Sequence, residues 1–380
     1  MPTTDTPPER SEHAVSLGIL GWVRVLSRST YITSSLLRKA VVAVARGKGK
    51  RGGLSLYDYV TFQGMRDYQC GLGAVGIQNL LPATATTCRW FARRHGLPHS
   101  KIVLADGTIA VWIGPAEPAK VVVVFHGGGY MAPALPQHVA LPFGFAKSPR
   151  RDSAVVVLQY DLASENANHY PNQLQQAVSL IDYLLHSRKI SASVITLLGD
   201  SAGGHLLLGL LLHINHPNPK APPVNIGGAR FSGAALVSPW VELNSTCESL
   251  KSNEPKDILS GTALAYWARN LLGDAPLDHW NSPLTAPAAW WADLPVENIL
   301  VTYGEDELFC DDVARLCEVL QRAHGHARTT TAGFPGELHV HMIINRLLMI
   351  NKPCRSESVF VEWLTACLDA PAAEVERTSA

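Results

Sequence analysis

Hydrophobic positions change their spacing once along the chain, near residue 95. From about 13 to 95 they recur at helical intervals, Trp22, Val23, Leu26, Leu36, Leu37, Val41 and Val42 among them, without a strong strand signal. This predicts a helical N-terminal cap segment over 1–95, whose first ~12 residues, polar and Pro-rich, are expected to be disordered. Short β-branched runs follow at 101–104, 109–113 and 121–125, separated by Asp106-Gly107 and Gly114-Pro115. The run at 121–125 never alternates, as expected of a strand buried on both faces of a mainly parallel sheet. A second such run lies at 154–158, and after it Leu174, Ala177, Val178, Ile181, Leu184 and Leu185 form one apolar helical stripe. Further strands are read at 194–198, 234–237, 299–303 and, Thr-rich, 328–332. Strand alternating with helix predicts an α/β fold, with a mainly parallel central sheet and helices on both faces, over 96–370. The interval at about 240–295 breaks that alternation. It is rich in Trp, Pro and Asn and holds one amphipathic segment, Leu264, Trp267, Ala268 and Leu271, so it reads as a lid insertion above the carboxyl ends of the strands.

Composition narrows the partners. With 32 basic and 32 acidic residues the chain has no net charge, which removes a bulk electrostatic case for nucleic acid and favours small uncharged ligands. The seven cysteines lie apart without C-x-x-C spacing and in odd number, so a reduced, cytoplasmic setting is expected, with the endoplasmic reticulum membrane surface as the alternative. The mostly apolar run at 14–23 is broken by Arg24, falls short of the roughly 20 residues of a membrane span, and follows Glu9 and Glu12 rather than a positive region. It reads as an amphipathic cap helix. Arg46, Lys48, Lys50 and Arg51, interleaved with glycines, read as a solvated loop, with contact to an anionic membrane surface as a second reading.

The chemistry gathers around Leu197-Leu198-Gly199-Asp200-Ser201-Ala202-Gly203-Gly204. A hydrophobic strand runs into a turn of small residues carrying one serine, then into a helix. Gly199 and Gly203 flank Ser201 in the G-x-S-x-G spacing of a nucleophile elbow, where a strained strand-to-helix turn lifts the hydroxyl above the sheet. A serine needs a base to take its proton, a carboxylate to hold that base, and donors for the oxyanion formed on attack. His126-Gly127-Gly128-Gly129-Tyr130, directly after the strand at 121–125, supplies close-approaching backbone N–H groups. Gly127 and Gly128, with Ala202 after the serine, are the expected donors. His339 is the expected base, with His341 as its rival, while His205 and His213 on the helix after the elbow read as structural. The acid lies among Glu305, Asp306 and Glu307, and residue chemistry leaves Asp306 and Glu307 both in play. Asp311-Asp312 read as a helix start. There is no H-E-x-x-H and no close Cys/His set, so neither a metal nor another cofactor is expected.

His126-Gly127-Gly128-Gly129 ahead of Gly199-Asp200-Ser201-Ala202-Gly203-Gly204 resembles the hormone-sensitive-lipase-like branch of the α/β-hydrolase fold, fungal members in particular. The similarity extends through Tyr160-Asp161-Leu162-Ala163-Ser164-Glu165, Tyr170-Pro171 and Ser238-Pro239-Trp240, covering about 100–350. It implies a serine esterase working through an acyl-enzyme. Members usually place the acid four residues before an aspartate, which selects Glu307 before Asp311, whereas a leucine two beyond the acid would select Asp306. Gly304-Glu305-Asp306-Glu307 is similar to members whose acid is a glutamate three residues after that glycine, so Glu307 is preferred. The usual H-G-F at the base is His339-Val340-His341 here. Trp240, Trp267, Trp290 and Trp291 in the lid suit a hydrophobic or aromatic ester. Two rival functions share the scaffold: a tailoring hydrolase or cyclase acting on a polyketide-like intermediate in secondary metabolism, and a non-catalytic ligand-binding protein.

Overall fold

Helices come first in the chain: α1 (Ile19–Arg46), α2 (Leu56–Gly71), α3 (Gly73–Leu80) and α4 (Thr84–Arg94). The structure, a computed structural model, describes residues 7–49, 53–145 and 152–371, so Lys50 and Arg51 of the basic loop lie outside the described residues. α2 starts where Ser55 Oγ accepts the Asp58 N–H at 3.0 Å, with the Asp58 carboxylate in the first turn opposing the helix dipole. β1 (His99–Val103), β2 (Ile109–Ile113), β3 (Lys120–Phe125), the short α5 (Pro136–Ala140), β4 (Ser153–Gln159), α6 (Asn172–Asp182), β5 (Ile195–Asp200) and α7 (Ala202–Asn215) follow. The second half adds β6 (Phe231–Val237), α8 (Ser249–Ser252), α9 (Gly261–Leu272), β7 (Val296–Gly304), α10 (Cys310–His324), β8 (Thr329–Phe334), α11 (His341–Leu347) and α12 (Arg355–Asp369).

The strands form one eight-stranded sheet in the order β1-β2-β4-β3-β5-β6-β7-β8. β2 pairs antiparallel with β1 and β4, and every other pairing is parallel. β3, β4 and β5 are buried along their whole length, which is why their sequences carry no alternation. α7 packs against β3, β5 and β6, while α10 covers β7 and β8 and α12 covers β6, β7 and β8. Register then sets the site. Phe125 lies opposite Gly199, and Asp200 opposite Val237, so the turns after β3, β5 and β6 emerge side by side at the carboxyl edge.

The expected strands are all present, several extended by up to three residues; β6 begins at Phe231 rather than 234, and β5 runs on to Asp200. The stripe after β4 spans two pieces, because α6 stops at Asp182 and a wider π-helical turn, Tyr183–Ser187, carries the buried Leu184. Residues 7–12, expected to be disordered, are tied down instead. Arg10 donates to Asp161 (3.1 Å) and Asn172 (2.9 Å), and the buried Glu12 carboxylate accepts the Thr84 N–H at 2.7 Å, serving as a cap for α4. A polar, Pro-rich composition is a poor guide here, since a long-range ion pair to Asp161 and a buried hydrogen bond to the start of α4 hold the segment. Among the described residues no helix is long and apolar enough to cross a membrane.

Candidate active site

β5 turns sharply at Ser201, whose φ is +51° and ψ −118°. A side chain in that backbone region is strained by about 1–3 kcal/mol. Packing enforces the turn: a Cβ on Gly203 would stand 1.8 Å from the Phe125 carbonyl oxygen, and one on Gly199 2.4 Å from that of Gly203. Only glycine at both positions lets α7 leave the sheet this close to β3. The Ser201 hydroxyl thereby meets His339, with Oγ 2.9 Å from Nε2.

His339 stands just ahead of α11, before Val340 in a left-handed turn (φ +44°). Three contacts place it. Its N–H donates to Asp257 Oδ1 at 3.2 Å, its ring meets Phe309 edge-on at 5.0 Å, and the next N–H, that of Val340, donates to Ser238 Oγ at 3.1 Å. Ser238, itself at φ +46° after β6, donates its hydroxyl to Glu307 Oε2 at 2.6 Å. Glu307 is fully buried, and its Oε2 also accepts the Gly304 N–H at 3.2 Å and lies 3.8 Å from His339 Nδ1. That last separation is an ion-pair distance, longer than a hydrogen bond. Asp257 accepts from Ile258 N–H (2.7 Å) with Oδ1 and from Leu308 N–H (2.8 Å) with Oδ2, so one buried carboxylate ties the loop of Glu307 to the loop of His339.

Burial alone would lower the pKa of His339, but Glu307 first, and then Asp257 and Asp200, raise it above the ordinary histidine value. Asp257 is pushed up to about 6 by burial, which the facing His339 partly offsets. Asp200, also buried, is pushed up to about 7. His138, 3.5 Å from Asp200, is lowered to about 4 by burial, and His126 to about 3, so both are neutral at physiological pH.

Asp200 changes the expected set of oxyanion donors. Its Oδ1 accepts the Gly127 N–H at 3.0 Å, which takes Gly127 out of that set. A Cβ on Gly127 would stand 2.1 Å from Asp200 Oδ2, so this first glycine is required by the loop's contact with the elbow. Gly128 and Gly129, with positive φ of 111° and 61°, line the cavity beside Ser201. Their N–H groups and that of Ala202, the first residue of α7, have no acceptor among the described residues. The Gly127 N–H is thus engaged while that of Gly129 is not, and the signal for this was the aspartate before the serine, an acceptor brought beside the glycine loop by the β3–β5 register.

Asp306 points away from His339 and pairs with Lys256 at 2.7 Å on the partly exposed side of the loop. His341 begins α11 and turns toward Glu337, Lys352 and Asp58. His205 and His213 are bound structurally: His205 joins Tyr130 (2.6 Å) and the Asn281 carbonyl (2.8 Å), and His213 joins the Pro222 carbonyl (2.8 Å). Among the described residues no cluster of His, Cys, Asp and Glu is suited to a metal, and the cysteines are free.

A cavity of about 460 Å³ opens over Ser201 and His339. Of the four tryptophans singled out in the chain, only Trp267 lines it; Trp240 stacks on Phe309, Trp290 stacks on His216, and Trp291 is buried in the core. Ile258, Leu259 and Trp267 are what 240–295 contributes. Much of the remaining wall comes from α2 and α3, through Met65, Tyr68 and Ile77, and from Ile343, Ile344 and Leu347 of α11.

A family model described as alpha/beta hydrolase fold matches residues 122–343. The chain belongs to the α/β-hydrolase-fold family. Its elbow and glycine loop place it in the hormone-sensitive-lipase-like branch. An esterase of Acinetobacter venetianus is 29% identical over 248 residues, 64% of this chain and 75% of that protein. Steryl acetyl hydrolase 1 of Saccharomyces cerevisiae is 25% identical over 206 residues, 50% of this chain and 45% of the yeast protein, so the chain spans under half of that relative. A solved bacterial hormone-sensitive-lipase-family esterase has a TM-score of 0.57 at 22% identity, over 76% of this chain and 93% of its own, a likeness of fold. In this α/β-hydrolase the matched region contains Ser201, Glu307 and His339, whereas the cavity wall from α2 and α3 falls outside it.

Proposed function

We propose that this α/β-hydrolase cleaves a carboxylic ester of a hydrophobic small molecule through an acyl-enzyme on Ser201. The observation that carries this reading is the 2.9 Å contact between Ser201 Oγ and His339 Nε2 beside three N–H groups without protein acceptors, at the floor of an apolar cavity. Ser201 Oγ attacks the ester carbonyl while His339 Nε2 takes its proton. The oxyanion so formed is held by the N–H groups of Gly128, Gly129 and Ala202. The imidazolium is stabilised by Glu307 across the present 3.8 Å, a separation that closes as charge develops on the ring. His339 then returns the proton to the leaving alkoxide, water attacks the acyl-enzyme by the same route, and the acid leaves.

The cavity supports a substrate with one bulky apolar part, since its volume is in the range of drug-sized ligand sites. Two of the relatives above carry the words esterase and steryl acetyl hydrolase in their names, which supports a short acyl group on a large apolar alcohol as the first class to assay. The test is a panel of p-nitrophenyl esters and acetates of bulky alcohols, with acid and alcohol products quantified. Equimolar acid and alcohol, lost in Ser201→Ala, is the expected result. Full turnover by Ser201→Ala, or a product isomeric with its substrate, overturns the proposal.

A further inference from the structure

Helix α1 carries two apolar stripes. Val25, Ile32 and Ala43 are buried, and Val25 and Ile32 pack with Leu36, Tyr68, Leu72 and Ile77. The second stripe is Ile19, Val23, Leu26, Leu37, Val41 and Val44, each at least 55% exposed and none more than 84%. Its members recur three or four residues apart, with Leu37 three turns after Leu26, so they share one line along the helix, roughly 120° round from the buried stripe. The line consists of two apolar patches, Ile19–Leu26 and Leu37–Val44, separated by Thr30 and Thr33, and exposed apolar patches of this kind facing away from the protein mark an interaction surface.

Charge selects the occupant. The chain is neutral as a whole, yet α1 contains Arg24, Arg28, Arg38, Lys39 and Arg46 and neither aspartate nor glutamate. Lys39 pairs with Asp67, and Arg28 donates to the Gly71 carbonyl, while Arg24, Arg38 and Arg46 are exposed. Trp22, partly in solvent, flanks the stripe as interfacial aromatics do. A second copy of the chain packed on this stripe would bring together two helices that each carry five cations and no carboxylate. An anionic bilayer supplies both what the stripe and what the arginines need, and with no spanning helix among the described residues the contact is with its surface.

We propose that α1 lies in the interface of an anionic lipid bilayer, with the Ile19–Val44 stripe at the acyl boundary and the exposed Arg38 and Arg24, on one flank of the stripe, reaching headgroup phosphates. The position is consistent with the cavity: Tyr68, Leu72 and Ile77, on which the buried stripe rests, also line it, and Leu80 at its rim is 38% exposed. An apolar ester would pass from the bilayer to Ser201 across one layer of side chains. That consequence rests on the proposed esterase activity; the docking does not.

The test is flotation of the full chain with vesicles of phosphatidylcholine alone or of phosphatidylcholine and phosphatidylserine in equal parts, without substrate. The expected result is binding to the phosphatidylserine vesicles that weakens with salt. The double variant Arg24→Gln with Arg38→Gln should lower that partitioning by at least about tenfold. Leu26→Gln with Val41→Gln should lower it on both vesicle types, and turnover of a soluble short-chain ester should be unchanged in both variants. Absence of flotation with phosphatidylserine, binding that neither variant alters, or a salt-strengthened dimer in sedimentation that Leu26→Gln with Val41→Gln abolishes, overturns the proposal. Ser201→Ala protein binding vesicles as the parent does would keep this question separate from the reaction.

Discussion

The two sides of the cavity are held by different physics. On the sheet side Ser201, Glu307 and His339 are buried; Asp257 accepts N–H bonds from Leu308 and His339, Ser238 donates to Glu307, and His339 Nε2 meets Ser201 Oγ, so the three loops are tied together. On the helical side Met65, Tyr68, Leu72 and Ile77 meet the cavity through apolar packing, and the layer behind them, α1, is half in solvent. Directional bonds on a parallel-sheet edge fix atoms to a fraction of an ångström, as proton transfer requires. Apolar packing of helices tolerates change of size and so sets which substrate fits. The matched region holds Ser201, Glu307 and His339 with the Ile258, Leu259 and Trp267 part of the wall, while the part of the wall from α2 and α3 lies outside it.

The sharpest way to break this contrast is at the sheet. Glu307→Gln should lower kcat by roughly 10³- to 10⁴-fold, whereas Asp306→Asn, which removes only a partly exposed ion pair with Lys256, should leave kcat within about twofold; steady-state kinetics of the pair decides the acid. Gly129→Ala sets a Cβ 2.5 Å from the Trp267 ring at a φ of +61°, and with one oxyanion donor displaced kcat should fall about 10²-fold. On the helical side, Met65→Trp should cost roughly tenfold in kcat/KM for bulky esters and little for acetates of small alcohols, which an ester panel reads directly.

Two smaller effects are electrostatic. Asp257 raises the pKa of His339, and a neutral His339 is the base, so Asp257→Asn should move the acidic limb of the kcat/KM profile to lower pH. Glu12 is pushed up from 4.5 to about 8, chiefly by burial. Its folded pKa lies above its unfolded one, so its contribution is complete below about 4.5 and is lost as pH rises through about 8. Glu12→Gln should flatten the fall in Tm between those limits, measured by thermal melts across pH.

The sheet was legible in the sequence because buried parallel strands lack alternation, and the elbow because Gly199 and Gly203 have no substitute at such contact distances. Glu307 and Asp306 were not separable by residue chemistry alone, since one residue along a loop reverses which carboxylate faces His339, and spacing counts conflict there. Gly127 misled because a glycine's N–H can serve the loop's own anchoring as well as a substrate, and the acceptor, Asp200, is distant in sequence. Asp257 left no signal: a lone aspartate in a Pro- and Asn-rich loop becomes a tie between two loops only through the fold. The helical wall was hidden for a related reason, because the apolar residues of α2 and α3 show helical periodicity whether they face a core or a cavity.

The central claim, that Ser201 is a nucleophile activated by His339, is tested most directly by intact mass after a fluorophosphonate probe. One adduct per chain is expected, mapped to Ser201 by peptide sequencing, absent in Ser201→Ala and strongly slowed in His339→Ala. An unlabelled parent protein that is folded, or an adduct that persists in Ser201→Ala, would contradict it.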